Sequence, residues 1–205
     1  MVSGRFPLGE RLWHKSGVSA HFKAKRVAPP LDDERLRELA LRYVGKYATT
    51  RAKLIAYLTR KLRERGWKGD AEPDLERLVG RLAELGYVDD AAYALTQSRS
   101  FAARGYGKRR LTQKLRVAGV EESDREAASE HADGEAVEAA LRFAERRRLG
   151  PFAAKMADRV VREKWIAAMI RAGHSFALAR AIASLEPGAR IDFDELRHEA
   201  RIAGC

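Results

Sequence analysis

Apolar residues recur at steps of three and four along most of the chain, which is the spacing of one face of an α-helix. The first stripe follows Asp32 and Asp33, either of which can cap a helix, and it runs from Leu36 through Tyr43 to Tyr47. No segment alternates apolar and polar residues for long enough to indicate a strand. The pattern therefore predicts an all-α protein.

The predicted helices fall into three rounds of three. The second round begins with a helix that Asp89 can cap, and it continues with a helix over 107–118. It closes with a short helix for which Ser123 and Glu126 have the spacing of a capping box. The third round includes a predicted long helix over 154–172, whose apolar residues again share one face.

The rounds are also similar in sequence. Leu58 and Leu62 in the first round correspond to Leu111 and Leu115, which come 53 residues later. Trp165 holds the matching apolar place a further 54 residues along. Helical repeats of this kind stack on their neighbours and present an extended surface. The expected fold is therefore three tandem three-helix repeats in an elongated, curved array.

This organisation divides the chain into five predicted segments. They are a basic, disordered leader (1–31), repeat 1 (32–88), repeat 2 (89–133), repeat 3 (134–186) and a C-terminal extension (187–205). The leader lacks helical periodicity and ends in Pro29-Pro30, as disordered terminal segments often do. Its basic residues leave open a second interpretation, an arm that contacts phosphates.

The net charge of the 205-residue chain is +11, which favours encounter with phosphate polyanions. The alternative is a basic surface that has no polyanionic partner. The single cysteine, Cys205, excludes an internal disulfide and a multi-cysteine zinc site. The chain has neither a membrane-length apolar run nor a signal-peptide core, so we expect a cytoplasmic protein with no membrane contact. We also expect a monomer.

Residues that carry out chemistry are sparse in this sequence. Neither a Gly-rich phosphate loop nor a dinucleotide fingerprint occurs, and Gly105-Tyr106-Gly107 is better interpreted as a hinge between helices. The five histidines are scattered, without metal-ligand spacing. We therefore expect no cofactor, no metal and no catalytic site.

The strongest candidate for a binding surface is a basic stretch over 91–120 that contains no Asp or Glu. Its cations are Arg99, Arg104, Lys108, Arg109, Arg110, Lys114 and Arg116. A weaker counterpart in repeat 1 consists of Arg60, Lys61, Arg63 and Arg65, and the counterpart in repeat 3 consists of Arg146, Arg147 and Arg148. Like charges at this density repel one another unless a polyanion or an acidic partner neutralises them. We predict that these residues bind nucleic acid or a protein partner, against the alternative of a solvated basic face.

The segments 86–94 (GYVDDAAYA) and 104–111 (RGYGKRRL) resemble the RecX family of recombination regulators. The resemblance extends over about 33–186. It implies three tandem three-helix repeats that bind the RecA–DNA filament, limit its growth, and damp strand exchange and the coupled ATP hydrolysis without a catalytic site. Several members of the family also bind DNA. The chain departs from the family in its leader, in an insertion over 149–158 and in the extension after Pro187.

A second functional hypothesis is a general DNA-binding protein of the helix-turn-helix type, because three-helix units with a basic helix also build that motif. Specificity separates the two hypotheses. A regulator requires the recombinase filament, whereas a general DNA binder holds naked duplex tightly in physiological salt.

Overall fold

The computed structural model describes residues 29–202. Within that range the chain is helical, and the one β-type pairing is an isolated bridge between Leu31 and Trp67. In chain order the helices are α1 (Asp33–Val44), α2 (Arg51–Arg65), α3 (Leu75–Glu84), α4 (Asp90–Ala103), α5 (Lys108–Val117), α6 (Glu126–Gly134), α7 (Ala136–Arg147), α8 (Arg159–Arg171), α9 (Phe176–Ser184) and α10 (Phe193–Ile202). The predicted all-α class is confirmed.

Side-chain caps explain where most of these helices begin. In each case the cap accepts a hydrogen bond from the backbone N–H three residues later. The caps are Asp32 (α1), Thr50 (α2), Asp74 (α3), Asp89 (α4), Asp158 (α8) and Ser175 (α9). The predicted capping box of Ser123 and Glu126 is wrong. Ser123 instead opens a single 3₁₀ turn, and neither this turn nor α6 has a side-chain cap.

Buried apolar side chains form three separate cores. The first lies among α1–α3 and includes Leu54 and Leu58, and the second lies among α4–α6 and includes Leu111 and Leu115. The third lies among α7–α10 around Met169. We call these helix groups unit 1 (α1–α3), unit 2 (α4–α6) and unit 3 (α7–α10). They follow one another along the chain as the internal repeat predicts.

The packing of unit 1 begins before its first helix. Leu31 is fully buried, its N–H donates to the Gly66 carbonyl (2.9 Å), and its carbonyl accepts from the Lys68 N–H (2.8 Å). Trp67 packs against the same core, and its indole N–H donates to the Ala71 carbonyl (2.6 Å). The last residue of the predicted leader thus belongs to unit 1. The prediction of disorder for 1–28 lies outside the described residues.

Units 1 and 2 meet where α5 ends and α2 begins. The fully buried Thr50 hydroxyl, which caps α2, donates to the Ala118 carbonyl (2.6 Å). The Asp90 carboxylate in the first turn of α4 accepts from the Arg51 N–H (3.0 Å). Burial raises the pKa of the Asp90 carboxyl above its usual value. The junction therefore depends on buried polar contacts to the first turn of α2.

Units 2 and 3 meet through their backbones, where α8 ends and α5 begins. The Gly107 N–H donates to the Ala172 carbonyl (3.0 Å), and the Arg109 N–H donates to the Gly173 carbonyl (3.2 Å). A Cβ atom at Gly107 would lie 2.3 Å from the Gly173 oxygen, so only glycine permits this approach. The two junctions place α8, α5 and α2 head to tail, an orientation in which the helix dipoles attract.

Unit 3 differs most from the sequence-based prediction. Its long helix starts at Arg159 rather than near 154, because Asp158 caps it, and Met156 before the cap is exposed. The C-terminal extension is not separate from this unit, since α10 buries Leu196 in the third core. The extension therefore adds a fourth helix to unit 3.

Candidate partner and nucleic-acid interface

Helix α5 carries four exposed cations within eight residues. Leu111 and Leu115 anchor the helix in the core of unit 2, so the remaining faces are open to solvent. The exposed cations on these faces are Arg109, Arg110, Lys114 and Arg116. None of the four forms an ion pair with another residue in 29–202. Their charges are therefore available to an external anion.

Lys108 differs from the other cations of the basic stretch. Its ammonium lies 2.5 Å from a carboxylate oxygen of Asp133, which belongs to α6. The stretch 91–120 contains no acidic residue, but the fold brings one in from outside it. The expectation that all the cations of the stretch are unopposed is therefore wrong for Lys108, although an exposed pair of this kind contributes little stability.

Tyr106 organises two of the predicted site residues. The Arg110 guanidinium lies 4.1 Å from the centre of its ring, and the Arg104 guanidinium lies at 5.7 Å. Arg104 also donates to the Ser100 carbonyl (3.0 Å). Cation–π contacts restrict both guanidiniums without neutralising them. The sequence placed Tyr106 only in a hinge between helices. This tyrosine precedes Gly107, the N-cap of α5, so no helical spacing signals its contact with Arg110.

The remaining predicted site residues lie apart from Tyr106. Arg99 is exposed on α4 and makes no ion pair within the described range. On α2, Lys61 pairs with Glu64 (2.5 Å) and Arg60 approaches the same carboxylate (3.6 Å), whereas Arg63 is exposed. The structure thus places Arg104 and Arg110 together near the start of α5, and the other α5 cations lie further along that helix. The α2 cations form a second, partly neutralised group.

A cavity of about 280 Å³ lies between units 2 and 3, next to the start of α5. The buried His174 lines it, with its Nε2 3.2 Å from the Gly105 carbonyl oxygen. Burial lowers the pKa of His174 to about 4, so its imidazole is neutral at neutral pH and adds no charge to the basic surface.

Residues 29–202 contain no group of three or more His, Cys, Asp or Glu side chains that could hold a metal ion. No helix in that range combines the length and the apolar character needed to cross a membrane.

Comparison with known proteins places this surface in a family context. The family model described as the second three-helix domain of RecX matches residues 89–128, which contain α4 and α5. The regulatory protein RecX of Myxococcus xanthus is 33% identical over 173 residues, covering 80% of this chain and 90% of the relative. The regulatory protein RecX of Thermobifida fusca is 34% identical over 158 residues, covering 72% of this chain and 85% of the relative.

The fold has a solved counterpart. The crystal structure of RecX from Lactobacillus salivarius superposes with a TM-score of 0.56 at 17% identity, covering 83% of this chain and 96% of that chain. The helical architecture is thus shared at low sequence identity, while the Myxococcus relative matches along nearly its whole length. This protein therefore belongs to the RecX family of regulatory proteins.

Proposed function

We propose that this protein binds the RecA–DNA filament as a monomer in the cytoplasm and limits filament growth, and with it strand exchange and the coupled ATP hydrolysis. It acts by binding, without a catalytic site or a cofactor of its own. The observation that carries the proposal is the set of four exposed cations on α5, none of which has an acidic partner within residues 29–202. They are Arg109, Arg110, Lys114 and Arg116.

Charge complementarity between this surface and a polyanion supports the proposal. Exposed arginines and lysines repel one another, so an external polyanion stabilises a surface that concentrates them. Each phosphate contact releases condensed counterions, which makes binding dependent on salt concentration. A filament that presents DNA phosphates and acidic side chains in a groove offers such a partner to a series of stacked helical units.

A second candidate function is general DNA binding of the helix-turn-helix type. The observation that favours it is α5 itself, a ten-residue basic helix in a three-helix unit with its polar face open to solvent. This function requires tight binding to naked duplex DNA in physiological salt. The RecA-directed function requires the filament.

Co-sedimentation of the purified chain with RecA–single-strand filaments, with and without ATP, tests the proposal. We expect the protein to pellet with filaments and to remain largely soluble with naked duplex at the same salt concentration. Failure to pellet with filaments in either nucleotide state contradicts the proposal, and equal pelleting with duplex alone favours the second candidate.

A charge-matched pair of variants tests the assignment of the surface. The α5 variant replaces Arg109, Arg110 and Lys114 with Ala, which preserves helix propensity. The control variant replaces three exposed arginines elsewhere with Ala, namely Arg37, Arg77 and Arg201. We expect only the α5 variant to lose filament affinity, and its slope of log K against log salt to fall by about 0.7 per lost single-strand phosphate contact. Equal losses in both variants would mean that net charge alone matters.

A further inference from the structure

Three tyrosine rings form a row on the surface of unit 1, which we call the tyrosine row (Tyr43, Tyr47 and Tyr57). Tyr43 of α1 stacks on Tyr57 of α2 with ring centroids 4.2 Å apart and an angle of 23° between the planes. Tyr47, just beyond α1, lies 5.2 Å from Tyr43, and 48% of it is exposed. Tyr43 and Tyr57 pack against the core of unit 1, so the row has a fixed base and an open outer ring.

Cations stand at both ends of the tyrosine row. The Lys46 ammonium lies 5.3 Å from the ring centre of Tyr47. Arg60 and Lys61 lie 5.6 and 5.9 Å from the ring centre of Tyr57. Glu64 pairs with both of the α2 cations, but these ion pairs are partly solvent-exposed and are weak enough for a phosphate to compete with them.

The internal repeat relates the tyrosine row to the basic helix. The register that aligns Leu58 with Leu111 also aligns Tyr57 with Arg110, and it aligns Lys61 with Lys114. At these corresponding positions, the second helix of unit 1 (α2) carries an aromatic and a cationic side chain, and the second helix of unit 2 (α5) carries two cationic side chains. The two second helices also follow one another in space, because α5 ends against the start of α2, where the Thr50 hydroxyl donates to the Ala118 carbonyl.

Aromatic rings with adjacent cations suit single-stranded nucleic acid better than a duplex. Bases of a single strand expose their π-faces and stack on aromatic side chains, while cations track the phosphates. Bases in a duplex already stack on one another. We propose that the tyrosine row is a base-stacking site for single-stranded nucleic acid, in which Tyr47 is the outer contact and Lys46, Arg60 and Lys61 hold the flanking phosphates. This inference extends the basic surface of the proposed function and rests on it.

The test separates bases from phosphates. Fluorescence anisotropy of the full-length protein compares a labelled oligothymidylate of about 15 nucleotides with an abasic oligomer of equal phosphate number. We expect the base-bearing strand to bind at least about tenfold more tightly, because stacking of a single base accounts for a factor of that order. Tyr47→Leu is expected to lose most of this preference, and Tyr47→Phe is expected to keep it because the ring remains.

A matched control is available in the same unit. Tyr87 has similar exposure (55%) but makes no ring or cation contact in the described structure, so Tyr87→Leu is expected to leave the base preference unchanged. Equal wild-type affinity for the two oligomers, or no binding to either at low salt, overturns the inference.

Filament co-sedimentation of the same variants separates this inference from the proposed function. If Tyr47→Leu weakens filament binding but keeps the preference for base-bearing strands, the row contacts protein and the inference fails. If the preference depends on Tyr47 while the wild type does not bind filaments, the inference holds and the RecA-directed proposal fails.

Discussion

Replacing His174 with Gln tests the junction between units 2 and 3. The imidazole is buried, contacts the Gly105 carbonyl through Nε2 (3.2 Å) and lies tilted against the Phe143 ring at 5.7 Å. Burial lowers its pKa from 6.5 to about 4. Glutamine retains an N–H donor of similar reach but does not titrate. The substitution therefore removes the titratable group and keeps a donor for the Gly105 carbonyl.

The sign and size of the effect follow from proton linkage. As the pH falls below about 6.5, the unfolded chain binds a proton at this residue while the folded chain does not, so the stability of the wild type decreases until about pH 4. One pKa unit corresponds to about 1.4 kcal/mol, so the full loss is about 3 kcal/mol. We therefore expect the wild type's advantage over His174→Gln to shrink by about this amount from pH 7 to pH 4.

Urea unfolding followed by far-ultraviolet circular dichroism at a series of pH values measures this difference. The carboxyl groups are the same in both proteins, so their contributions to the pH dependence of stability cancel in the comparison. His198 on α10 is exposed and lies outside this junction, so His198→Gln is a matched control that should keep the stability of the wild type. Parallel stability curves for wild type and His174→Gln across this range would refute the reasoning.

Three further substitutions test the two junctions by urea unfolding. Gly107→Ala places a Cβ 2.3 Å from a carbonyl oxygen across the junction, so it should lower the free energy of unfolding by about 1–3 kcal/mol. The control Gly80→Ala has no atom within 4 Å of its Cβ and should raise the free energy of unfolding by up to about 1 kcal/mol. Equal effects would contradict the close approach. Thr50→Val removes a cap and a buried donor and should cost about 2–4 kcal/mol, against little change for the exposed Thr59→Val. Asp90→Asn keeps an acceptor for the Arg51 N–H without the buried charge, so it should be more stable than the wild type at neutral pH. This gain should disappear as the pH falls through the raised pKa of Asp90, because the wild-type carboxyl then becomes neutral in the folded protein. Lower stability of the variant at neutral pH would contradict burial as the dominant influence on this carboxyl.

Two errors of the sequence-based predictions have a common cause. Tyr47 has the spacing of a buried stripe residue, but α1 ends at Val44, and Tyr47 is left on the surface. The predicted long helix of unit 3 starts at Arg159 because a cap at Asp158 prevails over apolar spacing. Periodicity indicates which face of a helix is buried, but it does not determine where the helix stops.

The sequence by itself determined the helical class, caps such as Asp32 and Asp89, the internal repeat and the family. These properties depend on residues within a few positions of one another, or on motifs that remain contiguous in the chain. A cap such as Thr50 and an anchor pair such as Leu111 and Leu115 can be identified locally because one helical turn brings their partners together.

Only the tertiary structure decided which cations remain available and which aromatic rings meet. The pair Lys108–Asp133 and the stack of Tyr43 on Tyr57 join residues from different helices, and no local pattern specifies either contact. The approach of Gly107 to a turn in unit 3 likewise depends on how whole units dock. Such contacts form after the chain path brings distant segments together, so the accessible charge of the surface is a property of the fold rather than of composition.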